Sequence, residues 1–319
     1  MYGEIMAILT NVSFAISFVL ARRIQNEATP IFQNAIRSIV GFITFFIICL
    51  SLGIFLNIFS LSMLLVLTLM MSILFTVILG DTTYLHSQKI LGPAKALAIT
   101  TTTPFFTILF ATIFLKRLLT IQMIFSAILI GIGVIIMTKE EISNKSGKND
   151  DSFQTRKYDN QTNLNRIHFS KSIKGMLLAL FTAIFWALGI ALTDYSINQV
   201  DQVLNLGFLS TIIAMMVRFL FASVSLSILA LIESTRTPLP KKRKTWSILI
   251  ISAILSYSIG SIFFGEAVHT AGATVMSLIS TALPLFTIPF SYVINKETIS
   301  KTSFIGIIIT LFGVIIILF

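Results

Sequence analysis

Residues 80–110 read GDTTYLHSQKILGPAKALAITTTTPFFTILF, and residues 260–290 read GSIFFGEAVHTAGATVMSLISTALPLFTIPF. The two stretches stay in register without a gap, 180 residues apart, and the match extends to Ile136. Residues with an identical counterpart 180 positions later include Gly80, Gly92, Pro104, Phe106, Thr107, Lys116, Gly133, Val134, Ile135 and Ile136. A gapless match that includes glycine, proline and lysine indicates an internal repeat of one structural unit. We therefore expect a duplicated chain whose function lies between the two copies.

The composition is that of a membrane protein. Of the 319 residues, 55% are hydrophobic and 11% are charged, whereas a soluble domain has about 25% charged residues. Lipid must therefore be the solvent for most of the apolar side chains. The net charge of +10 comes from basic residues that fall mostly in loops, so no nucleic-acid partner is predicted. The single cysteine, Cys49, excludes an intrachain disulfide, and no metal or cofactor is predicted.

Ten stretches are apolar and close to the roughly 20 residues that a membrane-spanning helix needs. In chain order they are Ile5–Ala21, Ile31–Leu50, Leu61–Leu85, Ala94–Leu115, Ile121–Met137, Met176–Ile197, Leu206–Ile232, Trp246–Val268, Ala273–Ile294 and Phe304–Phe319. The stretch 139–174 between the fifth and sixth spans is almost wholly polar and is predicted to be a flexible linker. It separates a first five-helix repeat, residues 1–138, from a second, residues 175–319.

The odd number of spans in each copy predicts the relation between the copies. Five spans bring the second copy into the membrane from the opposite side, as in the inverted repeats of many secondary transporters. The predicted fold is therefore all-α and polytopic, with ten transmembrane helices in two inverted five-helix repeats. Lysine and arginine concentrate in the linker and in loops such as Lys241–Lys244, so the charge bias places these loops in the cytoplasm and both termini outside.

Four ionisable side chains lie well within predicted spans: Arg37, Asp81, Arg218 and Glu266. A charge near the middle of a bilayer costs about 2.5–3.5 kcal/mol on insertion scales, so such residues usually face a cavity or a partner. We favour a solvated cavity for Asp81 and Glu266, which are also candidates to carry protons. Arg37 and Arg218 occupy matching places in the two copies, and a structural anchor and a binding residue are both open for them.

Aromatic and hydroxyl side chains complete the predicted substrate or proton pathway: Tyr84, Thr100, Thr103, Trp186 and Phe264. Trp186 is either a cavity wall or a packing anchor. Pro104 and Pro284 are predicted helix kinks, because proline removes a backbone donor from a helix. Nearby threonines can bind the carbonyl that is freed, so their hydroxyls contact either the substrate or the kink itself.

The motifs resemble those of the EamA-type carriers of the drug/metabolite transporter superfamily over nearly the whole chain outside the linker. They are Arg37, Gly80 to Tyr84, Thr103-Pro104-Phe105-Phe106-Thr107, Phe185-Trp186-Ala187, Arg218-Phe219-Leu220 and Leu283-Pro284-Leu285-Phe286-Thr287. The resemblance implies ten helices in two five-helix repeats and carrier-mediated movement of small metabolites, often export of amino acids or related compounds. It also implies cytoplasmic termini, against the charge bias, so the orientation stays open.

We predict a multi-pass secondary transporter of the cell membrane that moves small metabolites by alternating access through a cavity between the repeats. The chain has no Walker sequence, so coupling to protons or exchange is expected, and no enzymatic activity. Amino acids, sugars and organic cations remain open as substrates. A passive pore is the alternative. An intramembrane aspartyl protease is a minor one, because Ile78 stands where the Gly-x-Gly-Asp motif of those enzymes begins with glycine.

Overall fold

The computed structural model describes residues 1–91, 96, 99–100, 102–115, 120–122, 124–126, 128–129, 131–133, 136, 161–235, 239–295, 305–306, 308–309, 312–313 and 315–316. Regular structure in these ranges is helical, and they contain no strand. The main helices, numbered in chain order, are α1 Tyr2–Arg23, α2 Pro30–Ser51, α3 Met63–Leu91, α4 Thr103–Leu115, α5 Gln161–Leu204, α6 Phe208–Ser234, α7 Arg243–Ser280 and α8 Leu283–Asn295.

Six helices in the described ranges are long and apolar enough to cross a membrane: Tyr2–Arg23, Pro30–Ser51, Met63–Leu91, Ile173–Leu204, Phe208–Ser234 and Arg243–Ser280. They coincide with the predicted spans one, two, three, six, seven and eight. The predicted fifth and tenth spans are described only in part, and the described residues in both are helical. Helix α5 begins at Gln161, so the last part of the stretch predicted as a flexible linker is helical. The described part of the chain is thus all helical, and several of its helices are suited to a bilayer.

Helices α3 and α7 each contain a π-helical segment, Leu74–Asp81 and Ile254–Gly260, and the two segments begin 180 residues apart. A π-helical turn is wider than an α-helical one and is frequent at functional sites. In both segments a hydroxyl donates to the carbonyl four residues earlier. Thr76 Oγ1 binds the Ser72 carbonyl at 2.9 Å, and Ser256 Oγ binds the Ser252 carbonyl at 2.7 Å. The repeat in the sequence is therefore also a repeat of this unusual local geometry.

Glycines near the ends of these π-helical segments allow two close helix crossings. A Cβ atom at Gly80 would lie 2.5 Å from Trp186 Cδ1, and one at Gly260 would lie 2.7 Å from Phe14 Cε1. Both distances are too short for any side chain, so α5 can approach α3, and α1 can approach α7, only because glycine stands at these positions. Each crossing joins a helix of the first half of the chain to a helix of the second half.

The predicted fourth and ninth spans are interrupted at equivalent places. The Thr102 N–H donates to the Ile99 carbonyl at 3.2 Å just before α4, and the Ala282 N–H donates to the Ile279 carbonyl at 3.0 Å just before α8. Pro104 and Pro284 take the second positions of α4 and α8, where a proline sacrifices no helical hydrogen bond. The structure therefore places these prolines at the beginnings of new helical segments, whereas the sequence predicted kinks within continuous helices.

A further break in α7 separates the predicted eighth and ninth spans. Gly272 has φ 85°, a left-handed conformation that favours glycine. The backbone N–H of Ala273 donates to Asp194 Oδ2 on α5 at 2.8 Å. A carboxylate suits the positive end of the helical segment that begins there, and it satisfies a backbone donor that the break leaves free. Asp194 thus anchors the start of this segment to α5.

A loop contact secures the start of α7. Lys242 Nζ donates to Glu27 Oε1 at 2.7 Å, and the Thr245 hydroxyl donates to the other oxygen of Glu27. These donors hold the pKa of the Glu27 carboxyl below its usual value. The α1–α2 loop is thereby tied to the segment that carries the basic run Lys241–Lys244.

Candidate functional site

A cavity of about 110 Å³ lies between α1, α3, α5, α6 and α7, and it extends to the helix breaks that precede α4 and α8. An ordered water needs a cavity volume of about 10–15 Å³, so this cavity can hold several waters or one small organic molecule. Its wall is mainly apolar and aromatic. The residues that the sequence predicted for the pathway and that line the cavity are Asp81, Thr100, Thr103, Trp186, Arg218 and Phe264.

Asp81 joins three helices at the cavity wall. It is the last residue of the π-helical segment of α3 and is 9% exposed. Trp186 Nε1 on α5 donates to its Oδ1 at 2.8 Å, and the Tyr257 hydroxyl on α7 donates to its Oδ2 at 2.5 Å. Hydrogen bonds to an ionised carboxylate are about twice as strong as bonds between neutral groups. A change at this carboxylate would therefore be felt by α5 and α7 together.

Arg37 lies behind Tyr257 and is not part of the cavity wall. Its Nε and Nη2 both donate to Ser256 Oγ, at 3.2 and 3.0 Å, and its Nη1 donates to Asn34 Oδ1 at 3.1 Å. The guanidinium carbon lies 4.3 Å from the centre of the Tyr257 ring, within the range of a cation–π contact. These contacts favour the structural interpretation of Arg37.

Arg218 has the equivalent position on α6 but faces the cavity. Its Nη2 donates to Thr76 Oγ1 at 3.1 Å, which matches the bond from Arg37 to Ser256. Its Nη1 donates to the Met215 sulfur at 3.3 Å, and its Nε has no hydrogen-bond partner among the described residues. The guanidinium carbon lies 5.6 Å from the centre of the Phe264 ring, within the range of a cation–π contact. Arg218 is 2% exposed and takes part in none of the ion pairs in the described ranges. The two matching arginines therefore differ in how completely they are paired.

Glu266 is buried near the cavity but does not belong to its lining. Its Oε2 has no hydrogen-bond partner in the described part of the chain, and His269 Nδ1 lies 3.9 Å away. His269 Nε2 lies 3.4 Å from Asp201 Oδ2, at the end of α5. We call Asp201, Glu266 and His269 the acid–histidine cluster. The described residues contain no group of three or more acidic, histidine or cysteine side chains arranged for a metal ion.

Tyr84 is a packing residue in this structure. It is 1% exposed, and its ring centre lies 5.0 Å from that of Phe18 and 5.3 Å from that of Trp186. It does not line the cavity. Trp186 combines both roles that the sequence left open, because it packs on Tyr84 and also lines the cavity.

Threonine hydroxyls lie next to the helix breaks at Thr102 and Ala282, which border the cavity. Thr103 Oγ1 donates to the Thr100 carbonyl at 2.6 Å, and Thr281 Oγ1 donates to the Leu278 carbonyl at 2.6 Å. The hydroxyls therefore satisfy carbonyls at the breaks, as expected for local helix chemistry. Thr100, Thr103, Ser280 and Thr281 also line the cavity.

The model of the EamA-like transporter family matches residues 1–139 and 173–319. The chain belongs to this family. An uncharacterized transporter of Clostridium kluyveri is 29% identical over 146 residues, which cover 45% of this chain and 44% of that relative. A solved structure described as the crystal structure of a protein superposes with a TM-score of 0.71 over 98% of this chain and 95% of its own, at 13% identity. The family predicted from the repeated motifs is confirmed, and it is one that is named for transporters.

Three polar residues of this EamA-like chain were missed by sequence reasoning: Asn11, Asn34 and Asp194. Asn11 lines the cavity, and its side-chain amide donates to the Ile279 carbonyl just before the second helix break. Asp194 lies inside the apolar sixth span, which was a signal that it is buried and paired. The two asparagines gave no such signal, because an uncharged polar residue in an apolar helix is common.

Proposed function

We propose that the protein is a secondary carrier that moves small metabolites by alternating access through this cavity. The observation that carries the proposal is a set of contacts that recur in reverse between the two copies. Arg37 of the first copy donates to Ser256 of the second, and Arg218 of the second donates to Thr76 of the first. In the same reciprocal way, Trp186 of the second copy packs on Gly80 of the first, and Phe14 of the first copy packs on Gly260 of the second.

Reciprocal contacts are what a twofold axis between two like units produces. They support an arrangement of ten helices as two inverted five-helix repeats, with the cavity on the axis between them. Inverted repeats of this kind allow one half to rock against the other around a fixed site. Helix breaks at the cavity also fit a carrier, since transporter sites are often built from the ends of discontinuous helices.

Proton coupling is proposed at the acid–histidine cluster and at Asp81. His269 Nδ1 and the free oxygen of Glu266 lie 3.9 Å apart. A proton on either atom would form a hydrogen bond between them if the two side chains moved slightly closer together. Protonation of Asp81 would weaken its bonds to Trp186 and Tyr257 and so loosen α5 and α7 from α3. Exchange of one substrate for another, without protons, is the alternative mode of coupling.

The test is counterflow with the purified chain in liposomes. Vesicles loaded with a mixture of the twenty amino acids, three sugars and three amines are placed in trace amounts of each compound in labelled form. A carrier gives label uptake that saturates and that depends on the unlabelled compound inside. Linear flux without saturation or counterflow would instead show a passive pore and contradict the proposal. Vesicles without protein provide the control.

A further inference from the structure

Four basic side chains lie on the surface at the start of α7. They form the basic run, Lys241, Lys242, Arg243 and Lys244, and all four are exposed. Lys242 pairs with Glu27, whereas in the described part of the chain no acid forms an ion pair with the other three. The first turn of α7 contains no acidic residue. Three neighbouring cations are therefore left for a counter-charge from outside the described residues.

The contacts around the basic run hold it in one place. The indole N–H of Trp246 donates to the Pro240 carbonyl at 3.0 Å, and the Trp246 ring meets that of Phe32 on α2 edge-on, with 5.6 Å between the ring centres. The backbone N–H of Thr245 donates to the Lys242 carbonyl at 3.1 Å. The cations are thus displayed from a folded frame, which lowers the conformational entropy that binding has to remove.

The fold does not require charge at this place. The start of α3 is the counterpart 180 residues earlier, and residues 61–64 there read LSML. The hydroxyl of Ser62 caps α3 by accepting from the Leu65 N–H at 3.3 Å, while no side chain caps α7. Cations at the start of a helix are unfavourable, because that end carries a partial positive charge. The stability of α7 therefore does not explain the basic run.

An apolar strip continues from the basic run along one face of α7. Arg243, Ser247, Ile250 and Ile254 are exposed and follow one another at the three- or four-residue spacing of a single helix face. Arg243 and Ile250 are about 10 Å apart along the helix axis. Trp246 lies between the cations and the isoleucines, and tryptophan is enriched at membrane–water interfaces. The order of charged and apolar groups matches that of a phospholipid, with its charged head outside its apolar chains.

We propose that this surface binds an anionic phospholipid, with the lipid phosphate at Arg243 and Lys244 and the acyl chains against Ile250 and Ile254. Each basic side chain close to an anionic lipid surface strengthens binding by about fivefold. Zwitterionic lipids offer the same acyl chains without the net negative charge. The inference does not depend on the proposed carrier function, since it concerns the outer surface of α7 and not the cavity.

Quenching of Trp246 by brominated lipids tests the site directly. The chain has two tryptophans, so Trp186→Phe leaves Trp246 as the one indole. The detergent-purified full chain is titrated with phosphatidylglycerol or with phosphatidylcholine, each carrying the same brominated acyl chains. We expect phosphatidylglycerol to reach half of the maximal quenching at a concentration about tenfold lower or less. Equal quenching by the two lipids would overturn the proposal.

Variants without charge locate the effect. Arg243→Gln combined with Lys244→Gln should reduce the preference for phosphatidylglycerol about tenfold or more. Lys174→Gln is the control, because Lys174 is an exposed lysine near the start of the span in α5, and the preference should not change. The double variant should keep the unfolding midpoint without lipid, since both side chains are exposed. An undiminished preference in the double variant, or an equal loss in Lys174→Gln, would contradict the site.

Inorganic phosphate distinguishes a lipid site from a general anion site. Phosphate should not release brominated phosphatidylglycerol, because it has no acyl chain for the isoleucines, whereas phosphatidylglycerol without bromine should compete. Equal competition by phosphate would show an anion site and refute lipid binding. The unsubstituted chain gives a second readout, which does not depend on Trp186→Phe. Its unfolding midpoint should rise more with phosphatidylglycerol than with phosphatidylcholine, and equal shifts would count against the proposal.

Discussion

The carboxylate of Asp81 holds Trp186 and Tyr257 at once, and this double contact determines what its replacement should do. Asp81→Asn has one side-chain oxygen and cannot accept well from both donors. We expect it to abolish gradient-driven flux while the protein stays folded. The measurement is substrate uptake into vesicles with and without a pH gradient, with the circular dichroism spectrum as the check on folding. Unchanged gradient-driven uptake would refute the role of Asp81.

Tyr257→Phe is the matched variant for this experiment. It removes one donor to Asp81 and keeps the ring beside Arg37, so coupling should weaken while the contact of the guanidinium with the ring persists. A defect as large as that of Asp81→Asn would mean that the hydrogen bond from Tyr257 is the essential part.

At the residue scale, the sequence identified four buried charges and missed Asp194, and it did not show which of the buried charges are paired. Asp81 and Glu266 could be found because acids in an apolar span are rare. The difference between Arg37 and Arg218 could not, because it depends on the residues that meet them in space. Asn34 accepts from Arg37, while Met215, three residues before Arg218, offers only a sulfur atom.

At the scale of helices, the two glycine crossings make a direct prediction. Gly80→Ala should destabilise the protein by about 1–3 kcal/mol, since the new methyl group would overlap the Trp186 ring. Gly131→Ala is the control, because a Cβ there meets nothing within 4 Å, and it should be neutral or stabilising by about 0.5–1 kcal/mol. The free energy of unfolding in detergent measures both, and equal effects would contradict the close crossing.

Helix positions followed from the sequence better than helix interruptions did. The ends of α1, α2 and α6 lie close to the ends of the predicted spans. The reason is that the length of an apolar run follows the thickness of the hydrocarbon core of the bilayer. The π-helical segments could not be predicted, since their residues have the same apolar character as an ordinary helix. The breaks at Thr102 and Ala282 are shifted from the predicted kinks because proline is as acceptable in the first turn of a helix as it is disruptive in the middle.

For the whole molecule, alternating access predicts that one cavity position is reachable from both sides of the membrane, but from one side at a time. Cys49 is fully buried, so a Cys49→Ala background permits a single new thiol at Ser280, which lines the cavity. In vesicles, an impermeant maleimide should label Ser280→Cys from either face, and substrate should shift the ratio of the two rates. Ile47→Cys, on an exposed apolar face of α2, should resist the reagent from both sides. Labelling of Ser280→Cys from one side alone would contradict alternating access.

The duplicated, membrane-embedded character of the molecule was evident from the 180-residue register and the composition, because both are properties of the whole chain. The way the two halves of the chain pack against each other was not. It depends on small residues such as Gly80 and Gly260 meeting large ones on helices more than a hundred residues away, and no local pattern specifies such a pair.

The place of Trp186 has a practical consequence for spectroscopy. The chain has two tryptophans, and the indole of Trp186 borders the cavity while that of Trp246 donates to the Pro240 carbonyl in a connecting loop. Indole emission responds to the polarity of its surroundings. The native chain therefore carries a fluorophore at the cavity, and the second indole contributes a background signal. Binding of a molecule in the cavity can be followed by tryptophan emission without attaching a dye.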